Sequence, residues 1–219
     1  MTEDLTLKRQ SRLVAALEAA WAEVMQRHAE LPPVAIIVGQ GSGHRGGGLV
    51  LGHFAAERWQ PTGSDGVYVH ELMIGGEGLR RGAPEVFATL LHEAAHALAR
   101  VRAIQDTSRQ GRYHNKRFKQ LAEELGLVIE RDPRIGSSLT TLPAATAESY
   151  AAAIDALGRA IALHRRSEPV GAGGTNRGNL LAATCQCDPP RRIRVAPSTL
   201  AGGPIVCTVC DDAFKPVAP

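Results

Sequence analysis

Two histidines one helical turn apart, His92 and His96, flank Glu93 in the middle of a strongly apolar segment. Val86, Phe87, Leu90, Leu91, Ala94, Leu98 and Val101 recur at helical spacing, which predicts a helix from Pro84 to Arg102. Pro84 suits the first helical position, where its missing N–H would have no partner in any case. On such a helix, positions i and i+4 lie one above the other, so both imidazoles can converge on one metal ion. Glu93 sits one step round, able to reach a water on that metal without ligating it. Chance alone would place this pattern in about 2% of chains of this composition. Thr89, His92, His96 and Arg100 form a polar stripe on an otherwise apolar helix. Such a stripe is costly to cover unless it serves a site. The alternative is a solvated pair of surface histidines.

A catalytic zinc takes three protein ligands and keeps one open position. Downstream candidates for the third are His114, Glu123, Glu124 and Glu130. His114 is the best placed, because the turn at Gly111–Asn115 leads into a third helix that ends at Gly126. Glu123 and Glu124 share that helix with Lys116, Lys119 and Gln120, which reads as a solvated face. Tyr113 either donates a hydrogen bond to an oxyanion during attack or packs at the helix start.

Before this region, residues 4–30 read as a helix carrying Leu13, Val14, Leu17, Trp21, Val24 and Met25 inward, ended by Pro32 and Pro33. Val34–Val38, Leu49–Phe54 and Val67–Ile74 read as strands. Between the first two, Gly41, Gly43 and Gly46 match the dinucleotide fingerprint. A strand follows where that motif needs a helix, so a glycine-rich loop is expected instead. Residues 131–143, with Pro133, Gly136, Ser137, Ser138 and Pro143, read as a loop, and 145–166 as an alanine-rich helix. Glycines at 171, 173, 174 and 178 mark a linker. His28, His44, His53, His70 and His164 lack ligand spacing and read as surface or packing residues.

The four cysteines, Cys185, Cys187, Cys207 and Cys210, form two close pairs near the C-terminus. A disulfide scaffold would spread them through the fold. Tight pairs read as ligands of a structural Zn²⁺, and so short a module needs metal to fold. Free thiols or a disulfide are the alternative.

His92-Glu93-Ala94-Ala95-His96, the later His114 before Phe118, and the four-cysteine module together resemble the SprT-like metalloprotease family, which includes Spartan. The resemblance spans roughly residues 10–130 and 183–216. It implies zinc ligands at His92, His96 and His114, Glu93 as the catalytic base, and a short sheet before the metal helix. Leu51-Gly52-His53-Phe54 followed by Arg58-Trp59 looks like the family's strand and aromatic turn. Asn115 stands where relatives often have glycine, and 145–166 lies outside the usual core. The expected fold is therefore α+β: a zincin-like metallopeptidase domain (small antiparallel-type sheet plus HExxH helix) over 1–130, a helical extension and glycine-rich linker over 131–182, and a zinc ribbon over 183–219. Two Zn²⁺ are expected, one catalytic and one structural.

A net charge of only +3 excludes a polycation, so contact with DNA would come from local clusters. Arg191, Arg192 and Arg194 form one, and Arg100, Arg102, Arg109, Arg112, Lys116, Arg117 and Lys119 another, opposed only by Asp106. These either neutralise phosphates or form a solvated face. Met1–Gln10 carries charges of both signs and no apolar stretch, and no run is long enough for a membrane span, so a cytoplasmic protein is expected. The function expected is hydrolysis of protein substrates, DNA-bound ones included. The rivals are a non-proteolytic nucleic-acid-binding adaptor and a zinc hydrolase of small amides.

Overall fold

The computed structural model describes residues 8–43, 49–111, 113–167 and 180–217. The chain divides into two compact units, Met1–Ser167 and Glu168–Pro219.

In the first unit, helix α1 (Arg9–Arg27) buries Leu13, Leu17, Ala20, Trp21 and Val24 along one face. The Trp21 indole donates to the Pro32 carbonyl at 3.1 Å and closes the turn into β1 (Val34–Gly39). The helix read from residue 4 starts at Arg9 among the described residues; positions 1–7 lie outside them. A short hairpin, β2 (Ser42–Gly43) with β3 (Leu49–Val50), then carries the chain to β4 (Gly52–Trp59). β5 (Val69–Gly75) returns between the two, giving the order β1-β5-β4. Because the hairpin delivers β4 to the far edge before β5 turns back, β5 runs antiparallel to β4 but parallel to β1. The small sheet is thus mixed and not the antiparallel type expected. The hairpin stands where a dinucleotide motif would need a helix; His44 and Gly46 lie outside the described residues.

A 3-10 turn over Gly76–Arg81 leads through Gly82 (φ 99°) into α2 (Ala83–Val101). From Val86 to Ala99 every residue of α2 is buried except Thr89, His92 and His96. The predicted polar stripe is therefore the one opening in a buried helix. Beyond it come β6 (Thr107–Ser108), β7 (Tyr113–His114) and α3 (Lys116–Glu124). Asn115 caps α3 by accepting from the backbone N–H groups of Arg117 and Phe118. Phe118, Leu121 and Ala122 face inward.

Residues 131–143 are not a loop. β8 (Val128–Asp132) and β9 (Gly136–Thr141) form an antiparallel hairpin whose turn is held by the Asp132 carboxylate, accepting from Arg134 and Ile135 N–H. The second sheet has the order β6-β7-β9-β8. Gly136 (φ 77°) crosses so close to β7 that a Cβ there would lie 2.2 Å from the His114 carbonyl oxygen, so only glycine fits. The serine and glycine content that suggested a loop instead builds one face of a strand against α2.

The helix expected over 145–166 is two: α4 (Ala144–Ser149) and α5 (Ala151–Ala160), broken at Tyr150. Tyr150 packs on Phe87 with centroids 4.8 Å apart, under the Arg27 guanidinium. Ile154 and Leu157 join the same core as α1 and α2. The segment expected as an extension is thus packed into the first unit as far as Ser167. An ion pair with a buried carboxylate anchors its end. Glu77 accepts from Arg165 Nε and from the Gly41 N–H, each at 2.9 Å.

The second unit has a three-stranded sheet, β11-β10-β12, from β10 (Leu181–Thr184), β11 (Arg192–Val195) and β12 (Lys215–Pro216), with a short helix α6 (Pro197–Ala201). Val206 makes a single isolated bridge to Ala213. Among the described residues its buried core is Ala183, Val195 and Phe214 with Cys185 and Cys207, and Ile193, Leu200 and Ile205 pack partly buried against it. No helix among the described residues is long and apolar enough to cross a membrane.

Candidate metal centres

α2 delivers His92 and His96 on one face, and β7 brings His114 opposite them. One nitrogen from each of the three rings lies within 4.8 Å of the others. His96 Nε2 and His114 Nε2 are 3.1 Å apart. Two nitrogens bound to one tetrahedral metal at about 2.05 Å stand about 3.3 Å apart, so the spacing is compatible with zinc.

Each ring is braced from behind. His92 Nδ1 meets Thr140 Oγ1 at 2.9 Å, His96 Nδ1 meets Asp106 Oδ2 at 2.5 Å, and His114 Nδ1 meets Ser138 Oγ at 2.5 Å. Outer partners of this kind fix ring orientation and raise ligand basicity. Phe118, fully buried, lies against all three imidazoles, with centroids 4.6 Å from His92, 4.7 Å from His96 and 4.4 Å from His114. Burial, then the neighbouring His96 and His114, drive the His92 pKa well below its ordinary value, which leaves the neutral ring a ligand needs. At His96, burial favours the neutral ring but Asp106 and Glu93 outweigh it, and the pKa rises. A metal arriving there displaces a proton.

Glu93 is buried against β4. A Cβ at Gly52 would fall 2.7 Å from its Oε1, so the glycine makes room for the carboxylate. Burial raises the Glu93 pKa from its ordinary value, against the pull of His96, His53 and the Phe54 amide. That suits a proton acceptor, and a bound cation draws the value back down. A cleft of about 620 Å³ opens over this group, lined by Gly52, Arg81, Thr89, His92, Glu93 and His114 and by Ser138–Leu142 on β9 and just past it.

Tyr113 is not brought to the cleft. It precedes His114 on a strand, where successive side chains face opposite ways. Its hydroxyl accepts from Arg131 at 3.3 Å and its ring lies under Arg109. Nor do the other third-ligand candidates on α3 approach the histidines: Glu123 pairs with Lys119 and Glu124 with Arg102. The basic cluster beside the site is partly neutralised, since Arg100 also pairs with Glu57 and Arg102 with Glu30. Arg112 lies outside the described residues. Asp106, Ser138, Thr140 and the ring platform of Phe118 contact the three imidazoles, which the motif alone did not reveal. Asp106 had a signal, being the one acid in a basic stretch. Gly136, Ser138 and Thr140 alternate at the strand period.

In the second unit the four sulfurs lie within 4.8 Å of one another, and none is in a disulfide. Cys187 Sγ and Cys207 Sγ are 3.8 Å apart, about the separation of two thiolates on a tetrahedral ion with bonds near 2.3 Å. The backbone N–H groups of Val209 and Cys210 lower the Cys207 thiol to about 6, while the adjoining Cys185 pushes Cys187 up to about 12. Four clustered sulfurs resist common ionisation unless a cation joins them. Arg191 also donates to Cys207 Sγ at 3.4 Å, so it is partly occupied with the cluster.

Each cluster can thus hold one metal ion, with donor sets compatible with zinc. No protein-family model, curated protein or solved structure matches the chain.

Proposed function

We propose that the first unit is a zinc-dependent peptidase of the SprT-like type, and that the second is a zinc ribbon stabilised by its own ion. The observation that carries this is the trio of imidazoles, each braced from behind, with Glu93 one step round the same helix. A structural site would be closed by a fourth protein ligand, whereas three histidines leave a position open. Zinc held there would supply a Lewis acid, lowering the pKa of water towards about 7 and polarising a carbonyl. Glu93 accepts the proton of the attacking water and passes it to the leaving amine, so the peptide C–N bond breaks and the carboxylate forms without any outside reagent. Its burial limits competition from solvent, and Gly52 leaves the space its carboxylate occupies. β4 is paired on one side only among the described residues, and its outer edge offers main-chain partners to an extended peptide.

The test is turnover of casein, of small amides and of DNA-bound protein by wild type and Glu93→Gln, with metal analysis of both. Glu93→Gln should keep two zinc ions per chain and lose about 10²- to 10⁴-fold in rate. Equal turnover in that variant ends the peptidase reading. Cleavage confined to small amides, or DNA binding without cleavage, turns it towards the two rivals. Exposed Arg192 and Arg194 on the ribbon support DNA delivery, and a steep fall of DNA affinity with salt is the expected signature.

A further inference from the structure

The cleft contains a cation that hydrolysis does not use. Arg81 closes the 3-10 turn, and Gly82 bends the chain so that α2 starts at once. The Arg81 side chain is thereby folded along the first turns of α2. Its Nη2 donates to Thr89 Oγ1 at 2.8 Å and its Nε to the Gly78 carbonyl at 3.3 Å. The Thr89 hydroxyl donates in turn to the Glu85 carbonyl at 3.0 Å, which orients its lone pairs towards Arg81. These bonds fix the guanidinium in one pose and engage two of its five N–H donors. Arg81 makes no ion pair among the described residues. Glu85 attracts it only from beyond contact, and burial lowers its pKa. The cleft around it is lined by Pro84, Ala88 and Leu142 and by the carboxylate-bearing Glu85. Arg81 is exposed at the cleft, so the donors not used on Thr89 and Gly78 can meet a ligand, and a planar fork matches a carboxylate.

We infer that Arg81 recognises a carboxylate of the substrate, on an acidic side chain or at a peptide C-terminus. This rests on the peptidase reading and adds a substrate class to it. Thr89 lies one turn before Glu93, about 6 Å along the helix. An extended peptide covers that distance in about two residues, so the anion sits about two residues from the bond to be cut.

The experiment uses the intact zinc-loaded chain with Glu93→Gln to block turnover. Binding of fluorescein-labelled alanine–leucine peptides is followed by anisotropy. One series carries a single glutamate moved along the peptide, a second carries glutamine in its place, and a third compares free with amidated C-termini. The readout is the affinity ratio of acidic to neutral partner. It should reach about tenfold at one or two adjacent positions and fall to about one when Arg81→Ala is added. Arg81→Lys should keep part of it, with fold and zinc content checked in both variants. Preference for the free C-terminus would assign the anion to the peptide end, and preference for internal glutamate to a side chain. A ratio that survives Arg81→Ala, or neutral peptides that bind as well as acidic ones, overturns the inference and leaves the peptidase reading standing. Failure of all peptides to bind, neutral ones included, removes both.

Discussion

Gly52→Ala tests the placement of the general base without touching a ligand. The added methyl would lie 2.7 Å from Glu93 Oε1, 3.2 Å from its Cδ and 2.7 Å from Thr89 Cγ2. Ordinary contact starts at 3.4 Å, so the carboxylate or the strand must yield by about 0.7 Å. The strand is poorly able to do so, because Gly52 is in register with Ile74 on β5. Overpacking of this kind costs about 1–3 kcal/mol. A displacement near 1 Å in a reacting group costs roughly 10²-fold in rate. We expect kcat to fall 10- to 100-fold, KM to change little, and both zinc ions to remain. Thr89→Ser removes the second clash but not the first. The double variant should recover stability in urea and stay impaired in turnover. Wild-type kcat in Gly52→Ala, or loss of the histidine-bound zinc with it, would refute the argument that this glycine makes room for Glu93.

Four further outcomes follow from the same geometry. Asp106→Asn should weaken zinc at the histidine site by about 10- to 100-fold, measured by competition with a chromophoric chelator, and leave the cysteine site as it was. Phe118→Ala should lower stability by about 3–5 kcal/mol in urea denaturation and reduce zinc affinity as well, since the three rings lose their common platform. Cys207→Ser should cost one zinc per chain and the fold of the second unit, seen as lost dispersion of its NMR amide signals, while hydrolysis of small peptides continues. Glu77→Gln should destabilise the chelated protein by about 1–3 kcal/mol at neutral pH. Burial raises the Glu77 pKa, but the Gly41 and Glu77 N–H groups and Arg165 outweigh it, and the value is lowered from 4.5. A carboxyl depressed on folding contributes stability above its unfolded pKa and loses it as pH falls through the folded value. The gap between wild type and Glu77→Gln should therefore close as the pH drops below 4.5, and a constant gap would contradict the assignment.

The helix bearing His92 and His96 was legible because its apolar period and its motif agree. The four cysteines were legible because cysteine is scarce in this chain and they fall in two close pairs. The hairpin over 128–141 was not. Its inner face carries Gly136, Ser138 and Thr140, small or polar because they meet imidazoles and a neighbouring backbone, and that demand erases the β-branched signature of a strand. The parallel pairing of β1 with β5 was equally hidden, since it follows from the path of a crossover and not from either strand's own residues. Tyr113 shows the converse. Its neighbour His114 lies against the other two imidazoles, yet strand alternation turns the phenol away.

The braces of the histidines have a consequence for biosynthesis. Emerging from the ribosome, the chain presents all three imidazoles by residue 114, but Ser138 and Thr140 arrive 24 and 48 positions after the rings they orient. A nascent or prematurely terminated chain ending at 130 has only Asp106 to steady its ring nitrogens. The three rings gain their full set of outer hydrogen bonds only when the β8–β9 hairpin docks against α2 and β7.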